Sequence, residues 1–287
     1  MKQKQYKKIL VLDFGSQYTQ LIARRVREAR VYSEIVDSEI SADDVRREKP
    51  AGLILSGGPA SVHDSDAPGC DPRIFDLGIP VLGICYGLQY MTAQFGGNVM
   101  QSGSREYGRA AVELRKENAL FRGVKAPFQV WMSHADEVTE LAPGFEVLGS
   151  SESVPYAAVW SPERKIWGVQ FHPEVVHTKY GKRIIHNFVR RICNTRGNWS
   201  PKAYIEETVA ALREQIGDAN VICGLSGGVD SAVAAVLIHE AIGDQLTCIF
   251  VDNGLLRHRE AERLLEVFRK HMHVKVKHVD AADLFLS

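Results

Sequence analysis

A cysteine, a histidine and a glutamate occupy positions in this sequence from which they can act together as a catalytic triad. Cys85 lies in the sequence Gly-Ile-Cys-Tyr-Gly at 83–87, where a short apolar run meets a segment with helical spacing. A sharp strand-to-helix turn presents a nucleophile at the helix N-terminus, where the helix amides favour a thiolate. His172 and Glu174 follow another apolar run, so we expect His172 to act as the base at a strand end and Glu174 to orient its ring. Such a thiolate can attack a carboxamide carbon.

Each of the three residues also has an ordinary interpretation. A free cysteine is often a core residue, a lone histidine often lies on the surface, and a glutamate is usually solvated. The order of nucleophile, base and orienting carboxylate favours catalysis when the three are taken together. The Ser-Gly-Gly-Pro turn at 56–59 adds a candidate oxyanion hole, in which the backbone amide of Gly58 acts beside that of Tyr86.

Three motifs together resemble the class I glutamine amidotransferases: Gly-Ile-Cys-Tyr-Gly-Leu-Gln at 83–89, the Ser-Gly-Gly-Pro turn, and Phe-His-Pro-Glu at 171–174. The resemblance covers roughly the first 195 residues and implies hydrolysis of glutamine to glutamate and ammonia. It also implies that Gln89, Ser133, His134 and Asp136 help to hold the substrate glutamine. Ser133 and Asp136 are equally compatible with ordinary turn residues.

A second candidate site is the glycine-rich sequence Leu-Ser-Gly-Gly-Val-Asp-Ser at 225–231, which follows a predicted strand and opens a predicted helix. Its glycines let successive backbone amides face an anion at a helix N-terminus, which predicts a phosphate cradle. The alternative is a plain glycine-rich turn. No lysine follows the glycines as it does in the GxxxxGK[ST] loop, and Asp230 instead suggests a magnesium-bridged pyrophosphate.

This loop resembles that of the ATP pyrophosphatases, which activate a substrate oxygen as an adenylate and release pyrophosphate. The resemblance implies that ATP, with Mg²⁺, is a substrate here and that no tightly bound organic cofactor is needed. Asp252 lies at the end of the next predicted strand, and its alternative interpretation is that it caps a turn. The implied ATP-binding residues are Ser226, Gly227, Gly228, Val229, Asp230, Ser231, Ala232, Val251 and Asp252.

Three further segments resemble the glutamine-hydrolysing GMP synthetase family: Asp-Phe-Gly-Ser-Gln-Tyr at 13–18, Asn-Trp at 198–199, and Val-Asp-Asn-Gly-Leu-Leu-Arg at 251–257. This resemblance runs along the whole chain. It implies a ligase of purine biosynthesis in which ammonia from glutamine aminates ATP-adenylated xanthosine 5′-phosphate to GMP, with release of AMP and pyrophosphate.

The family's adenylating domain continues beyond Ser287 and ends in a dimerisation domain that closes the xanthylate site. We therefore expect a C-terminally truncated synthetase that keeps the glutaminase and part of the ATP site. One alternative is a glutaminase-only protein or subunit. A second alternative is a different glutamine-dependent ATP pyrophosphatase amidase, such as an NAD synthetase. A third is a non-enzymatic partner whose triad is inactive.

Hydrophobic periodicity predicts the elements that position these residues. Strand and helix patterns alternate through 8–95, which predicts a mostly parallel sheet covered on both faces, and strand-like pieces through 98–168 predict an antiparallel extension. The α/β alternation restarts after a segment rich in turn formers. We predict an α/β chain with a class I amidotransferase-like mixed sheet flanked by helices at 1–196, a linker at 197–201, and an incomplete parallel-sheet, Rossmann-like ATP pyrophosphatase domain at 202–287.

Composition narrows the class of protein further. The 287 residues carry 35 Lys and Arg against 35 Asp and Glu, so no global field favours nucleic acid or anionic lipid. Five cysteines without a CxxC pair argue against a disulfide framework and a zinc site. Without a signal-peptide core or a run long enough to span a membrane, the sequence indicates a cytoplasmic protein.

Two groups of basic residues are given structural interpretations. His271, His273 and His278 fall near one predicted strand and suggest a metal site, but interleaved lysines make a polar strand face the simpler interpretation, so no side-chain metal cluster is predicted. Arg24, Arg25 and Arg27 are interpreted as the solvated side of the first helix.

Overall fold

The computed structural model describes residues 6–257, 259–272 and 274–287, leaving aside the side chains at 102–106, 269 and 271. The described chain divides into two compact units. The first ends at Ser200, and the second spans Pro201–Ser287.

The first unit is built on one mixed sheet. Its strands are β1 (Lys8–Asp13), β2 (Tyr32–Asp37), β3 (Gly52–Leu55), β4 (Val81–Ile84), β5 (Asn98–Leu114), β6 (Phe128–Glu140), β7 (Glu146–Ser150), β8 (Ala158–Ser161) and β9 (Ile166–Val169). Within the described residues they lie in the order β2-β1-β3-β4-β9-β8-β7-β5-β6. The strands from β2 to β9 in this order are parallel, and those from β9 to β6 are antiparallel.

Helices cover both faces of the parallel strands. They are α1 (Thr19–Glu28), α2 (Ala42–Glu48), α3 (Tyr86–Gln94) and α4 (Gly181–Asn187), the last continued by a π-helical turn at Phe188–Ile192. Alternate residues of β1 point to opposite faces, so Ile9 packs in one core with Ile22 of α1 while Leu10 packs in another with Val45 of α2. Because both faces of these strands are buried, their sequences are continuous apolar runs instead of alternating apolar and polar residues.

The antiparallel strands are longer than the sequence predicts. Periodicity predicts strands at 109–114 and 128–131, whereas β5 and β6 extend to 98–114 and 128–140. Along β6 buried residues alternate with partly buried ones as far as Val138, because only one face of this strand packs against the core.

The second unit is a smaller α/β unit in which strands and helices alternate along the chain. Its elements are α5 (Pro201–Ile216), β10 (Val221–Leu225), α6 (Val229–Ile242), β11 (Leu246–Asp252), α7 (Glu260–Glu266), β12 (Val276–Asp280) and α8 (Ala282–Leu286). The strands form a parallel sheet in the order β10-β11-β12. Leu225 and Phe250 lie in its core, whereas Ile222 and Val251 point to the opposite face and are exposed.

The predicted fold class is confirmed: a mixed α/β sheet flanked by helices precedes a small parallel sheet with strand–helix alternation. Within the described part of the chain, none of the helices combines the length and apolarity needed to cross a bilayer.

Candidate active site

The candidate catalytic residues lie at the carboxyl ends of adjacent parallel strands. β4 ends immediately before Cys85, and β9 ends just before the segment that contains His172 and Glu174. The Ser-Gly-Gly-Pro turn follows β3, the neighbour of β4. This edge is where open α/β sheets bind ligands, because the loops that leave neighbouring strands converge there.

Cys85 occupies a strained turn between β4 and α3. Its φ of 51° and ψ of −106° lie in a region that non-glycine residues seldom adopt. The strain is held by close packing on both sides. A Cβ added to Gly83 would lie 2.7 Å from the backbone of Gly87, and one added to Gly87 would lie 2.6 Å from the carbonyl oxygen of Leu55. Small residues therefore allow α3 to approach the sheet closely enough to form the predicted elbow.

The structure brings the three predicted triad residues together in a buried site. The Nδ1 atom of His172 lies 2.8 Å from Oε1 of Glu174, and the imidazole is close enough to the Cys85 thiol for the sulfur to influence its pKa. Cys85 is 4% exposed, His172 4% and Glu174 0%. The second carboxylate oxygen of Glu174, Oε2, is buried with no hydrogen-bond partner among the described residues. The interpretations of His172 as a surface histidine and Glu174 as a solvated carboxylate are therefore wrong.

The surroundings of His172 favour its charged form. Burial is the largest influence and by itself would lower the pKa of the imidazole. The hydrogen bonds and negative charge of Cys85 and Glu174 outweigh burial, so the pKa of His172 is raised well above its ordinary value of 6.5. The raised pKa favours the imidazolium, which stabilises negative charge on the adjacent sulfur and can later give its proton to a leaving group.

The segment after β9 is fixed by contacts that hold His172 in place. The backbone amide of His172 donates to the carbonyl of Trp131 on β6 at 3.0 Å. The Thr178 hydroxyl donates to the His172 carbonyl at 2.6 Å and accepts the Trp131 amide at 3.0 Å. The ring of Tyr18 meets the imidazole edge-on, with centroids 5.5 Å apart. His172 is thus anchored through its backbone and its ring.

The two residues predicted to form an oxyanion hole, Gly58 and Tyr86, follow β3 and β4, which are neighbours in the sheet. Tyr86 is the first residue of α3, and amides of a first turn have no acceptor within their own helix. Gly58 lies so close to the loop after β1 that an added Cβ would stand 2.5 Å from the Phe14 carbonyl oxygen. The amide of Gly87 donates to the Ser56 carbonyl at 3.1 Å, which ties the Ser-Gly-Gly-Pro turn to the start of α3.

Three of the four residues that the resemblance assigns to glutamine binding, Gln89, His134 and Asp136, form a second buried group. Gln89 Nε2 donates to the Asp136 carbonyl at 2.6 Å, and His134 Nδ1 lies 3.0 Å from the same oxygen. The Ser61 hydroxyl donates to Asp136 Oδ2 at 2.5 Å. Ser133, His134 and Asp136 all lie on β6, so the alternative that Ser133 and Asp136 are turn residues is wrong.

Gln170 is a site residue that the sequence analysis missed. It is fully buried, its Nε2 lies 3.7 Å from the Cys85 sulfur, and its Oε1 accepts from Gln89 at 3.5 Å. The Ser133 carbonyl lies 3.6 Å from the same sulfur. A signal was available, since Gln170 immediately precedes Phe-His-Pro-Glu and an amide side chain is unusual at a buried strand end.

The interpretation of Arg25 as a solvated residue is wrong. Its side chain is 8% exposed, and its Nε donates to the Glu174 carbonyl at 2.9 Å. Its Nη1 donates to both carboxylate oxygens of Glu28, at 2.8 and 2.9 Å. Arg24 and Arg27 are exposed, as predicted. α1 therefore supports the backbone of the candidate triad acid.

The glycine-rich loop of the second unit joins β10 to α6 as an exposed turn. Gly227 adopts a φ of +78°, and Gly228 caps α6 in an extended conformation. The Ser231 hydroxyl accepts the amide of Ser226 at 3.2 Å and donates to the Gly228 carbonyl at 3.1 Å. Asp230 stands exposed in the first turn of α6. Exposed amides at a helix N-terminus suit an anionic ligand.

The other predicted ATP-binding residues lie on α6, which follows this loop, and on β11, the strand next to β10. Val229 is exposed and Ala232 is half-buried on α6. Val251 and Asp252 end β11, the neighbour of β10, and Val251 is exposed. Asp252 does cap a turn, since its Oδ1 accepts the Gly254 amide at 2.9 Å.

Of the three histidines considered for a metal site, His278 is the one whose side chain the structure describes. The ring of His278 stacks on Phe250 at a centroid distance of 5.9 Å. His273 and the side chain of His271 lie outside the described residues. The part of the chain that the structure describes contains no group of three or more His, Cys, Asp or Glu side chains arranged to hold a metal ion.

Comparisons with known proteins agree with the two-part organisation. Residues 10–192 match the family described as glutamine amidotransferase class-I, and residues 203–285 match the family described as NAD synthase. GMP synthase [glutamine-hydrolyzing] of Syntrophomonas wolfei is 51% identical over 279 residues, which is 97% of this chain and 55% of that protein. The protein of the same description from Bartonella henselae is 53% identical over 282 residues, 97% of this chain and 54% of its own length.

A solved structure also resembles the first unit. It is that of a putative GMP synthase subunit from Thermoplasma acidophilum, with a TM-score of 0.60 and 32% identity, and the match covers 66% of this chain and 94% of that one. The present chain spans about half the length of the curated relatives that it matches.

Proposed function

Because the chain belongs to the class-I glutamine amidotransferase family, we propose that residues 1–196 hydrolyse glutamine to glutamate and ammonia, with Cys85, His172 and Glu174 as the triad. Residues 197–201 act as a linker, and residues 202–287 form the N-terminal part of an ATP pyrophosphatase domain. The division of the chain at Ser200 supports this arrangement.

The proposed reaction begins when the Cys85 sulfur attacks the side-chain carboxamide carbon of glutamine. The amides of Gly58 and Tyr86 stabilise the negative charge that develops on the carboxamide oxygen. Protonated His172 gives its proton to the departing nitrogen, so ammonia leaves and a glutamyl thioester remains on Cys85. Water then attacks the thioester with His172 as base, releasing glutamate and restoring the thiol. Glu174 keeps the imidazole oriented throughout.

Gln89, Ser133, His134 and Asp136 hold the substrate in this proposal. Their packing supports the assignment, since Gln89 and His134 meet at the Asp136 carbonyl and the Ser133 carbonyl borders the reactive sulfur. A preformed polar group of this kind positions a ligand without ordering new side chains.

The observation that carries the glutaminase proposal is the buried contact of Cys85, His172 and Glu174 beside the helix N-terminus of α3. It is tested with a glutamine analogue that carries an electrophilic chloroketone in place of the carboxamide. We expect one adduct, on Cys85, and protection by glutamine. Cys70 is a matched control because it is also buried and free. Labelling spread over several cysteines, or unaffected by glutamine, would contradict the proposal.

For the second unit we propose binding of ATP with Mg²⁺ as substrate. The backbone amides of Gly227 and Gly228 and the hydroxyls of Ser226 and Ser231 hold the phosphates, and Asp230 lies near a magnesium-bridged pyrophosphate. Val229, Ala232, Val251 and Asp252 complete the site. The exposed glycine turn at the N-terminus of α6 supports this proposal.

The nucleotide proposal is tested by calorimetric titration of ATP with and without Mg²⁺. Asp230→Asn is expected to weaken binding mainly when Mg²⁺ is present. Asp283→Asn, a change of another exposed first-turn aspartate, serves as the matched control. Equal effects of the two substitutions would argue against a role for Asp230.

As a whole, the chain is proposed to contribute to GMP synthesis from glutamine, ATP and xanthosine 5′-phosphate. The identity to GMP synthases over 97% of the chain supports this more strongly than the alternative of an NAD synthetase, which rests on the second unit alone. We place the protein in the cytoplasm, without nucleic-acid or membrane partners, and the resemblance to the synthetase family implies homodimers within that family. Measuring GMP and glutamate together separates synthesis from a glutaminase-only function, in which glutamate accumulates without GMP.

A further inference from the structure

Two cysteines of the second unit are direct neighbours on adjacent strands. The register of β10 and β11 pairs Cys223 with Cys248, and the strands are parallel. Side chains at paired positions of parallel strands point to the same face of the sheet. Both residues accordingly belong to the same hydrophobic cluster, Cys248 fully buried within it and Cys223 partly buried at its margin.

We propose that Cys223 and Cys248 form a reversible intramolecular disulfide, which makes this strand pair a modification site for small disulfide oxidants. Both thiols are free in the structure. No step of the glutaminase reaction uses either of them, so the proposal does not depend on the function proposed above.

The strand spacing permits this bond with a small local adjustment. Neighbouring strands lie about 4.8 Å apart, which falls within the Cα separations of about 4.4–6.8 Å seen in disulfides. Side chains stand roughly perpendicular to a sheet, so the Cβ atoms begin about 1 Å farther apart than the ~3.8 Å that a disulfide requires. Closing the bond therefore strains the two strands. A strained disulfide is more readily reduced, which makes the modification reversible.

The surroundings of the two thiols set the order of events. Burial first, and the adjacent Cys223 second, raise the pKa of Cys248 to about 11, so Cys248 remains a thiol at neutral pH. Cys223 is the more accessible of the two sulfurs, and its thiol lies 3.7 Å from the carbonyl oxygen of Gly224. It therefore reacts first with an external oxidant.

The proposed step is balanced as two thiol–disulfide exchanges. The Cys223 thiolate attacks a small disulfide, forms a mixed disulfide and releases one small thiol. Cys248 then loses its proton to solvent and attacks the Cys223 sulfur, which forms the intramolecular bond and releases the second small thiol. The two cysteines are oxidised, and the external disulfide is reduced to two thiols.

The experiment treats the native chain with oxidised glutathione, blocks the remaining thiols by alkylation and maps the peptides by mass spectrometry without reduction. We expect a cross-linked pair of peptides containing Cys223 and Cys248, with a loss of about 2 Da for the two thiol hydrogens. Reduction with dithiothreitol is expected to restore both thiols. Cys70 and Cys193, which are buried and lie outside the described strands, are internal controls that are expected to stay unmodified.

Two variants sharpen the test. In Cys248→Ser, Cys223 is expected to stop at the glutathione mixed disulfide, whereas in Cys223→Ser, Cys248 is expected to remain a free thiol. A wild-type chain that keeps Cys248 as a thiol while Cys223 carries glutathione would overturn the proposal. So would a cross-link that appears only between two chains, which a concentration series detects.

Discussion

Removal of the Glu174 carboxylate isolates the contribution of the residue that orients the base. In Glu174→Ala, His172 loses the partner that lies 2.8 Å from its Nδ1 atom. A hydrogen bond to a charged group contributes about 1.5–3 kcal/mol. If that stabilisation is lost in the transition state, where His172 is an imidazolium, the turnover number falls by about 13- to 160-fold, since 1.36 kcal/mol corresponds to about tenfold.

The assay is the initial rate of glutamate release over a range of glutamine concentrations. Because Glu174 acts through His172, we expect kcat to fall while KM changes little. The pKa of His172, followed by NMR, is expected to move down in the variant because a favourable charge has been removed. Glu152→Ala, a change of an exposed glutamate, is the matched control.

Glu174 is fully buried, so folding of the variant is checked by denaturant unfolding and circular dichroism. A folded Glu174→Ala protein that keeps kcat within about threefold of the wild type would refute the orienting role, because less than about 0.7 kcal/mol would then separate the two. An unchanged pKa of His172 would refute the electrostatic account of its surroundings.

Three further predictions concern packing, protonation and the amide beside the sulfur. Gly87→Ala is expected to destabilise the chain by about 1–3 kcal/mol in urea unfolding, because its Cβ would lie 2.6 Å from a backbone oxygen, whereas Gly224→Ala, with open space around its Cβ, should not. Because the pKa of His172 is raised in the folded state, protonation of His172 stabilises the fold, fully below about pH 6.5, and this stabilisation is lost as pH rises through the folded-state pKa. The difference in unfolding free energy between wild type and His172→Gln should therefore shrink as pH rises. A difference that grows with pH would contradict the raised pKa. Gln170→Leu removes an amide 3.7 Å from Cys85 and should slow alkylation of that sulfur and glutamate release together; unchanged rates would remove Gln170 from the site.

Residues defined by local sequence could be predicted well. The elbow at Cys85 depends on glycines two positions to either side and on a strand that runs directly into a helix, all of which lie within a few residues. The strand β3 and the nearby turn are likewise specified by an apolar run followed by Ser-Gly-Gly-Pro. Local patterns of this kind carry most of the information for a turn.

Contacts between distant segments could not be predicted from the sequence. The hydrogen bond from Ser61 to Asp136 joins residues 75 positions apart, and the one from Arg25 to Glu174 joins residues 149 apart. Helical periodicity identifies the polar face of α1 but cannot tell which arginine meets another element. The same limit applies to β6, whose extension beyond residue 131 depends on pairing with β5 rather than on its own composition.

The most direct test of the central claim is glutamate release from glutamine by the purified chain and by its Cys85→Ala variant, each at equal concentration and with folding verified. The account predicts glutamate release by the wild type and none above the uncatalysed rate by the variant. Glutamate release that survives in Cys85→Ala would contradict the assignment of Cys85 as the nucleophile.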